Sequence, residues 1–113
     1  MVAVDGGMGD NLEVSLYAQR FEATVATRVG GGLPCRLVGR HCESGDTLSA
    51  GVLLRNPSPG DLIAVPATGA YTYSLSNNYN GARRPPVVFC GEGGSRAVVR
   101  RETYEDLMRR DLS

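Results

Sequence analysis

The sequence predicts a mainly β domain, a β-barrel or sandwich, with a short C-terminal helix. Three observations carry this expectation. Fifteen glycines and six prolines punctuate 113 residues, which is the pattern of short strands joined by turns. Between these breaks, apolar residues fall in short runs or alternate with polar ones. Only the segment from Thr103 onward changes to a helical period.

The elements follow in order. Val2-Ala3-Val4 is an apolar run stopped by Gly6-Gly7 and reads as an opening strand. From Phe21 to Arg28, Phe21, Ala23, Val25 and Thr27 alternate with Glu22, Thr24, Ala26 and Arg28, a period-two strand with one buried face. Gly30-Gly31-Gly32 makes a flexible turn, and Cys35 to Val38 forms a strand leading to Cys42. Val52-Leu53-Leu54 is closed by Asn56-Pro57-Ser58-Pro59-Gly60-Asp61, and Leu62 to Val65 forms a strand ended by Pro66. Pro86 to Cys90 and Arg96 to Arg100 flank Gly91-Glu92-Gly93-Gly94-Ser95 as a hairpin. Thr103 caps a helix in which Tyr104, Leu107 and Met108 share a face. Glu105 and Asp106 fall in its first turn, and Arg109 and Arg110 at its end.

Length and composition bound what the chain can do. At 113 residues it is one domain, 1–113, too short for a large α/β barrel. Twelve acidic and twelve basic residues cancel, which argues against a dedicated nucleic-acid binder. No window reaches the ~18 apolar residues of a membrane helix, and the N-terminus lacks a signal-peptide pattern. A cytoplasmic location is therefore expected, with neither nucleic acid nor membrane as a partner. Cys35, Cys42 and Cys90 are odd in number and form no CxxC pair. With a single histidine they predict reduced thiols and no zinc site. All twelve basic residues are arginine. An arginine cannot form a Schiff base, so chemistry that needs a lysine requires another part of the protein.

Two patches hold candidate functional groups. In Arg40-His41-Cys42-Glu43-Ser44-Gly45-Asp46 a thiol and a carboxylate sit side by side in a polar turn at the rim of a sheet. Positive charge from Arg40 or His41 favours the thiolate. The plain alternative is a buried small cysteine beside a solvated glutamate. The second patch, Ala67-Thr68-Gly69-Ala70-Tyr71-Thr72-Tyr73-Ser74, offers Tyr71 as a phenolic donor. A core tyrosine is the plain alternative there. Tyr73, Tyr79 and Asn80 extend this loop to Arg83-Arg84, an aromatic and basic stretch that could also suit an oligonucleotide-binding barrel.

Taken in order, these motifs resemble the C-terminal β domain of the alanine racemase-like (fold type III) pyridoxal-phosphate decarboxylases, nearest the branch acting on diaminopimelate. Val2-Ala3-Val4-Asp5-Gly6-Gly7-Met8 with Asp10-Asn11 resembles the entry from the barrel. His41-Cys42-Glu43-Ser44-Gly45-Asp46 resembles the family's cysteine motif, followed by Pro59-Gly60-Asp61. Gly69-Ala70-Tyr71 through Tyr79-Asn80 resembles the cofactor loop, and Arg100-Arg101-Glu102-Thr103 with Asp106-Leu107 the closing strand and helix. Each motif alone is weak, but their order along the whole chain is specific.

The resemblance implies decarboxylation of meso-diaminopimelate to L-lysine and CO2 with pyridoxal 5'-phosphate, by a homodimer whose two sites lie between subunits. It implies that Cys42 and Glu43 reach into the partner's site. There Cys42 is the candidate catalytic proton donor to the carbon that lost CO2, and Glu43 holds the substrate's distal amine. It places Tyr71 over the cofactor and substrate of its own subunit, and Tyr17 at the substrate's distal end. The Schiff-base lysine and the phosphate-binding glycine loop belong to an N-terminal (β/α)8 barrel absent from this chain, and the chain alone is expected to be inactive. One departure stands out. Where the family usually has Arg-Pro-x-Leu-Tyr, this chain reads Glu13-Val14-Ser15-Leu16-Tyr17, replacing a cation that binds the distal carboxylate by an anion. Either another arginine serves, or the substrate is lysine- or ornithine-like or comes from a secondary-metabolite pathway. A stand-alone β domain without catalytic role is a further alternative.

Overall fold

A computed structural model describes residues 1–112 as seven strands, three short α-helices and a 3-10 turn at Tyr79–Gly81. The mainly β expectation holds. The strands form three ladders: β1 (Val2–Ala3), β3 (Leu33–Val38) and β4 (Thr47–Leu54) in one sheet, β2 (Thr24–Val25) with β5 (Ile63–Ala64), and β6 (Val87–Gly91) with β7 (Gly94–Val99). Among the described residues no closed barrel is formed. β1 runs parallel to β3, and the other pairs are antiparallel.

The core explains the register. Leu37 opposes Ser49 while Cys35 opposes Val52, so Arg36 faces two residues, Ala50 and Gly51. This bulge resets the inward phase of β4, and Ser49, Val52 and Leu54 all turn inside. With Ala23, Val25 and Leu37 the two apolar residues of β4 form a small buried core, flanked by Val2, Val4, Cys35, Leu48, Ile63 and Val65.

Several elements differ from expectation in extent. The strand expected over Phe21 to Arg28 shrinks to Thr24–Val25, because the Arg28 N–H turns back to the Val25 carbonyl at 2.9 Å. Its buried face is nonetheless the expected one, with Ala23 and Val25 inside. The hairpin lies where the glycines put it, and Gly30, Gly31 and Gly32 all take positive φ in the turn before β3. The C-terminal helix is not alone. α1 (Glu13–Tyr17) and α2 (Thr72–Leu75) are single turns without a side-chain cap, too short for periodicity to reveal. α3 (Tyr104–Met108) has the expected Thr103 cap, completed as a capping box by Asp106. Its Tyr104 and Met108 are exposed rather than packed on a core, and Tyr104 instead lies under the Arg83 guanidinium, 4.4 Å from the ring centre. Among the described residues no helix is long and apolar enough to cross a membrane.

Candidate active-site surface

The Cys42 loop is built on a buried carboxylate. Asp46, 3% exposed, accepts hydrogen bonds from the backbone N–H groups of Met8 and His41, both at 2.6 Å. These bonds tie residues 40–46 to the loop after β1. Two glycines make room for it. A side chain at Gly39 would meet the Asp46 carboxylate at 2.4 Å, and one at Gly7 would meet the His41 ring at 2.7 Å. Arg40 adds a second clamp: its backbone N–H donates to the Gly6 carbonyl, and its guanidinium reaches the Asp5 carbonyl and the Asp10 carboxylate. Arg40, one of the two cations expected beside the thiol, is thus committed to this clamp, while His41 lines the same hollow as Cys42.

This clamped turn presents Cys42 and Glu43 outward. Both are exposed, and the Cys42 thiol is free, so the buried-cysteine reading fails. Cys42 lines an open hollow of about 360 Å³ with Arg40, His41, Asn80, Arg83 and Tyr104 among its walls. Glu43 accepts a hydrogen bond from the Tyr79 phenol through Oε2 at 3.3 Å. His41 sits between the loops, its ring 5.2 Å from that of Tyr79 and its Nδ1 3.4 Å from the Asn80 amide nitrogen.

The tyrosines are placed differently. Tyr71 precedes α2 and is 63% exposed, which sets aside the core-tyrosine reading. Tyr17 ends α1 and is also exposed, and that helix is tied to the cysteine loop by the Ser15 hydroxyl donating to the Gly45 carbonyl at 3.1 Å. Among the described residues no hydrogen bond links Cys42, Glu43, Tyr17 and Tyr71 to one another; the structure joins Glu43 to Tyr79 instead. The tie between Tyr79 and Glu43 is invisible in sequence, since 36 residues separate them. Glu13 makes no hydrogen bond or ion pair through its carboxylate among the described residues. No cluster of His, Cys, Asp and Glu that could hold a metal occurs among them either.

The loop carrying Tyr71 and Tyr79 is anchored on both sides. The Asn77 N–H donates to the Gly9 carbonyl at 3.1 Å. Glu102 accepts from the Arg84 N–H and from the Asn78 amide, and pairs with the Arg84 guanidinium. These partners, the Arg84 N–H foremost, hold the Glu102 carboxyl below its ordinary range. One surface therefore gathers the exposed Cys42 thiol, the Glu43 carboxylate and the phenols of Tyr79 and Tyr104, with Tyr17 and Tyr71 exposed at neighbouring helical turns. It can supply a proton, a negative charge and hydrogen-bond donors, but no imine-forming amine.

Comparison with known proteins gives this surface a context. The family described as "Pyridoxal-dependent decarboxylase, C-terminal sheet domain" matches residues 1–69. The chain is 51% identical over 112 residues to diaminopimelate decarboxylase of Actinosynnema pretiosum subsp. auranticum, covering 98% of this chain and 26% of that protein. It is 49% identical over 113 residues to that of Bacillus subtilis (strain 168), with the same coverage. The crystal structure of diaminopimelate decarboxylase from M. jannaschii in co-complex with L-lysine superposes with a TM-score of 0.91 at 30% identity, covering 99% of this chain and 26% of that one. The chain thus spans about a quarter of the length of these relatives. On the extent of the family match, sustained by these identities, the chain belongs to the pyridoxal-dependent decarboxylases, as their C-terminal sheet domain.

Proposed function

We propose that residues 1–113 form the C-terminal domain of a diaminopimelate decarboxylase, converting meso-diaminopimelate to L-lysine and CO2. The observation that carries this reading is identity near one half, along almost the whole chain, to proteins of that name. The rest of such an enzyme is an N-terminal (β/α)8 barrel, and the working unit is a cytoplasmic homodimer. The three free cysteines suit a reducing compartment. The strands belong to a barrel or sandwich; in support, β2 packs against β4, while β1 and β5 each leave one edge on a common apolar groove.

The residues present fit one wall of a pyridoxal phosphate site and not its anchor. The chain has no lysine, so the covalent attachment belongs to the barrel. Tyr71 fits the wall: its phenol is exposed and makes no hydrogen bond among the described residues, leaving a donor for the cofactor or substrate of its own subunit. When bound, the cofactor supplies the electron sink for loss of CO2.

This chain's part is positioning and proton control. Cys42, exposed at the rim, holds the proton delivered to the carbon that lost CO2 in the partner's site. Glu43 beside it binds the substrate's distal ammonium. Tyr17, on the helix tied to the same loop, contacts the substrate's distal end. The clamp by Asp46 keeps Cys42 and Glu43 in a fixed relation, which a proton donor needs for productive geometry. The test is lysine formation by the complete enzyme carrying this domain, given meso-diaminopimelate and pyridoxal phosphate. No lysine from meso-diaminopimelate, with turnover of another amino acid, rejects the assignment.

One observation favours a second reading, a lysine- or ornithine-like substrate. Glu13 stands where an arginine is expected, and among the described residues no cation pairs with it. A substrate panel separates the two. Preference for meso-diaminopimelate over lysine and ornithine eliminates the second, and the reverse preference eliminates the first.

A further inference from the structure

We propose that Tyr79 is a positioning residue that sets the Glu43 carboxylate for the distal ammonium of the substrate, an inference that rests on the reading of Glu43 given above. Glu43 is exposed on a turn, and a free glutamate there samples many rotamers that binding must restrict. The Tyr79 phenol removes much of that freedom by donating to Oε2 at 3.3 Å. Oε1 has no hydrogen-bond partner among the described residues and remains open to a ligand. The separation is long for an O–H···O bond, as is common in catalytic sites before substrate arrives.

The phenol is itself held. Its backbone N–H donates to the Asn77 Oδ1 at 3.0 Å, and the Asn77 N–H is bound to the Gly9 carbonyl. The Tyr79 ring lies tilted by 50° on His41, whose backbone is fixed by the buried Asp46. A continuous line of restrained groups thus runs from the core carboxylate to the Glu43 side chain. The chemistry of the donor matters as well. A phenol orients the carboxylate and leaves its charge intact, whereas an arginine in the same place would neutralise it and weaken the pull on an ammonium.

The experiment uses the complete holoenzyme and meso-diaminopimelate. Tyr79→Phe keeps the ring on His41 and removes only the hydroxyl. It is expected to raise KM about three- to tenfold and to change kcat by less than about twofold. Glu43→Gln is expected to raise KM further, and adding Tyr79→Phe to it to have no additional effect, since the phenol acts through that carboxylate. If Glu43→Gln raises KM while Tyr79→Phe does not, or if the two effects simply multiply, the role of Tyr79 is overturned. If Glu43→Gln leaves KM unchanged, the reading of Glu43 falls, and the inference falls with it.

Discussion

At the scale of single residues, Asp46 and Cys42 are expected, under the proposed function, to have opposite relations to stability and activity. Asp46 is buried with two backbone N–H groups aimed at its carboxylate, so Asp46→Ala leaves both donors unmet inside the fold. The expected cost is about 2–6 kcal/mol, from roughly 1–3 per orphaned group, and urea denaturation measures it. Cys42 is exposed, so Cys42→Ala is expected to shift stability by less than about 0.5 kcal/mol. Under the proposed function, in which Cys42 is the proton donor, the same change in the complete enzyme is expected to lower turnover by about 10²-fold or more. A stability loss for Cys42→Ala equal to that of Asp46→Ala would contradict this division. Sequence revealed the outward residues of this loop because a thiol beside a carboxylate is unusual in a turn. It did not reveal Asp46 as the organiser, because an Asp after Ser-Gly is ordinary turn chemistry, and one of its two donors, the Met8 N–H, lies 38 positions away on another segment. Of the two cations expected beside the thiol, Arg40 is likewise engaged elsewhere, turned to Asp5 and Asp10.

At the scale of elements, the hairpin and most of β3 were legible because apolar runs and glycine turns encode them locally. β4 was legible only over residues 52–54; its first part, residues 47–51, is mostly polar or small and carries no apolar run. α1 and α2 were not legible, since single helical turns carry no periodic signal and depend on tertiary ties such as Ser15 to Gly45. α3 was legible through its cap, and it carries a pH dependence. Hydrogen bonds from the Arg100 guanidinium, then from the Thr103 N–H, push the Asp106 carboxyl far below its ordinary 3.8. Glu102 lies below its ordinary 4.5, first through the Arg84 N–H, and Asp61 below 3.8, first through the Ser58 N–H and then Arg28. Each carboxyl binds protons more readily in the unfolded chain. Their contribution is therefore complete above about pH 5, begins to drain away in the ordinary carboxylate range and is lost as pH falls on through the lowered values of the folded chain. The expected outcome is a urea midpoint that drops between pH 7 and pH 3. The drop should be smaller in Asp106→Asn, which has already lost the charged pairing. An equal drop in both proteins would show that this helix terminus is not a source of the acid sensitivity.

At the scale of the whole molecule, the domain is built to be covered. Its radius of gyration is 15.2 Å, against about 13 Å for a compact chain of this length. Among the described residues its buried apolar side chains are confined to Ala23, Val25, Leu37, Val52 and Leu54. The hairpin β6–β7 stands outside that core, with Val88, Phe89 and Val98 exposed. A groove of about 820 Å³ runs between β1 and the segment from Pro57 to Ile63, with Leu62 75% exposed on that segment. Open strand edges beside exposed apolar groups favour association with further chain. Under the proposed function that chain is the remaining three-quarters of the decarboxylase, and hydrogen exchange provides the test. In the isolated domain, amides of β3 and β4 near the core should exchange slowly, while those of β6–β7 and the groove-lining segments exchange quickly. In the complete enzyme, peptides spanning residues 1–5 and 59–65 should become protected. Equal exchange of those peptides in both proteins would mean that the rest of the enzyme leaves the groove uncovered, and that these apolar edges serve something other than assembly of the domain.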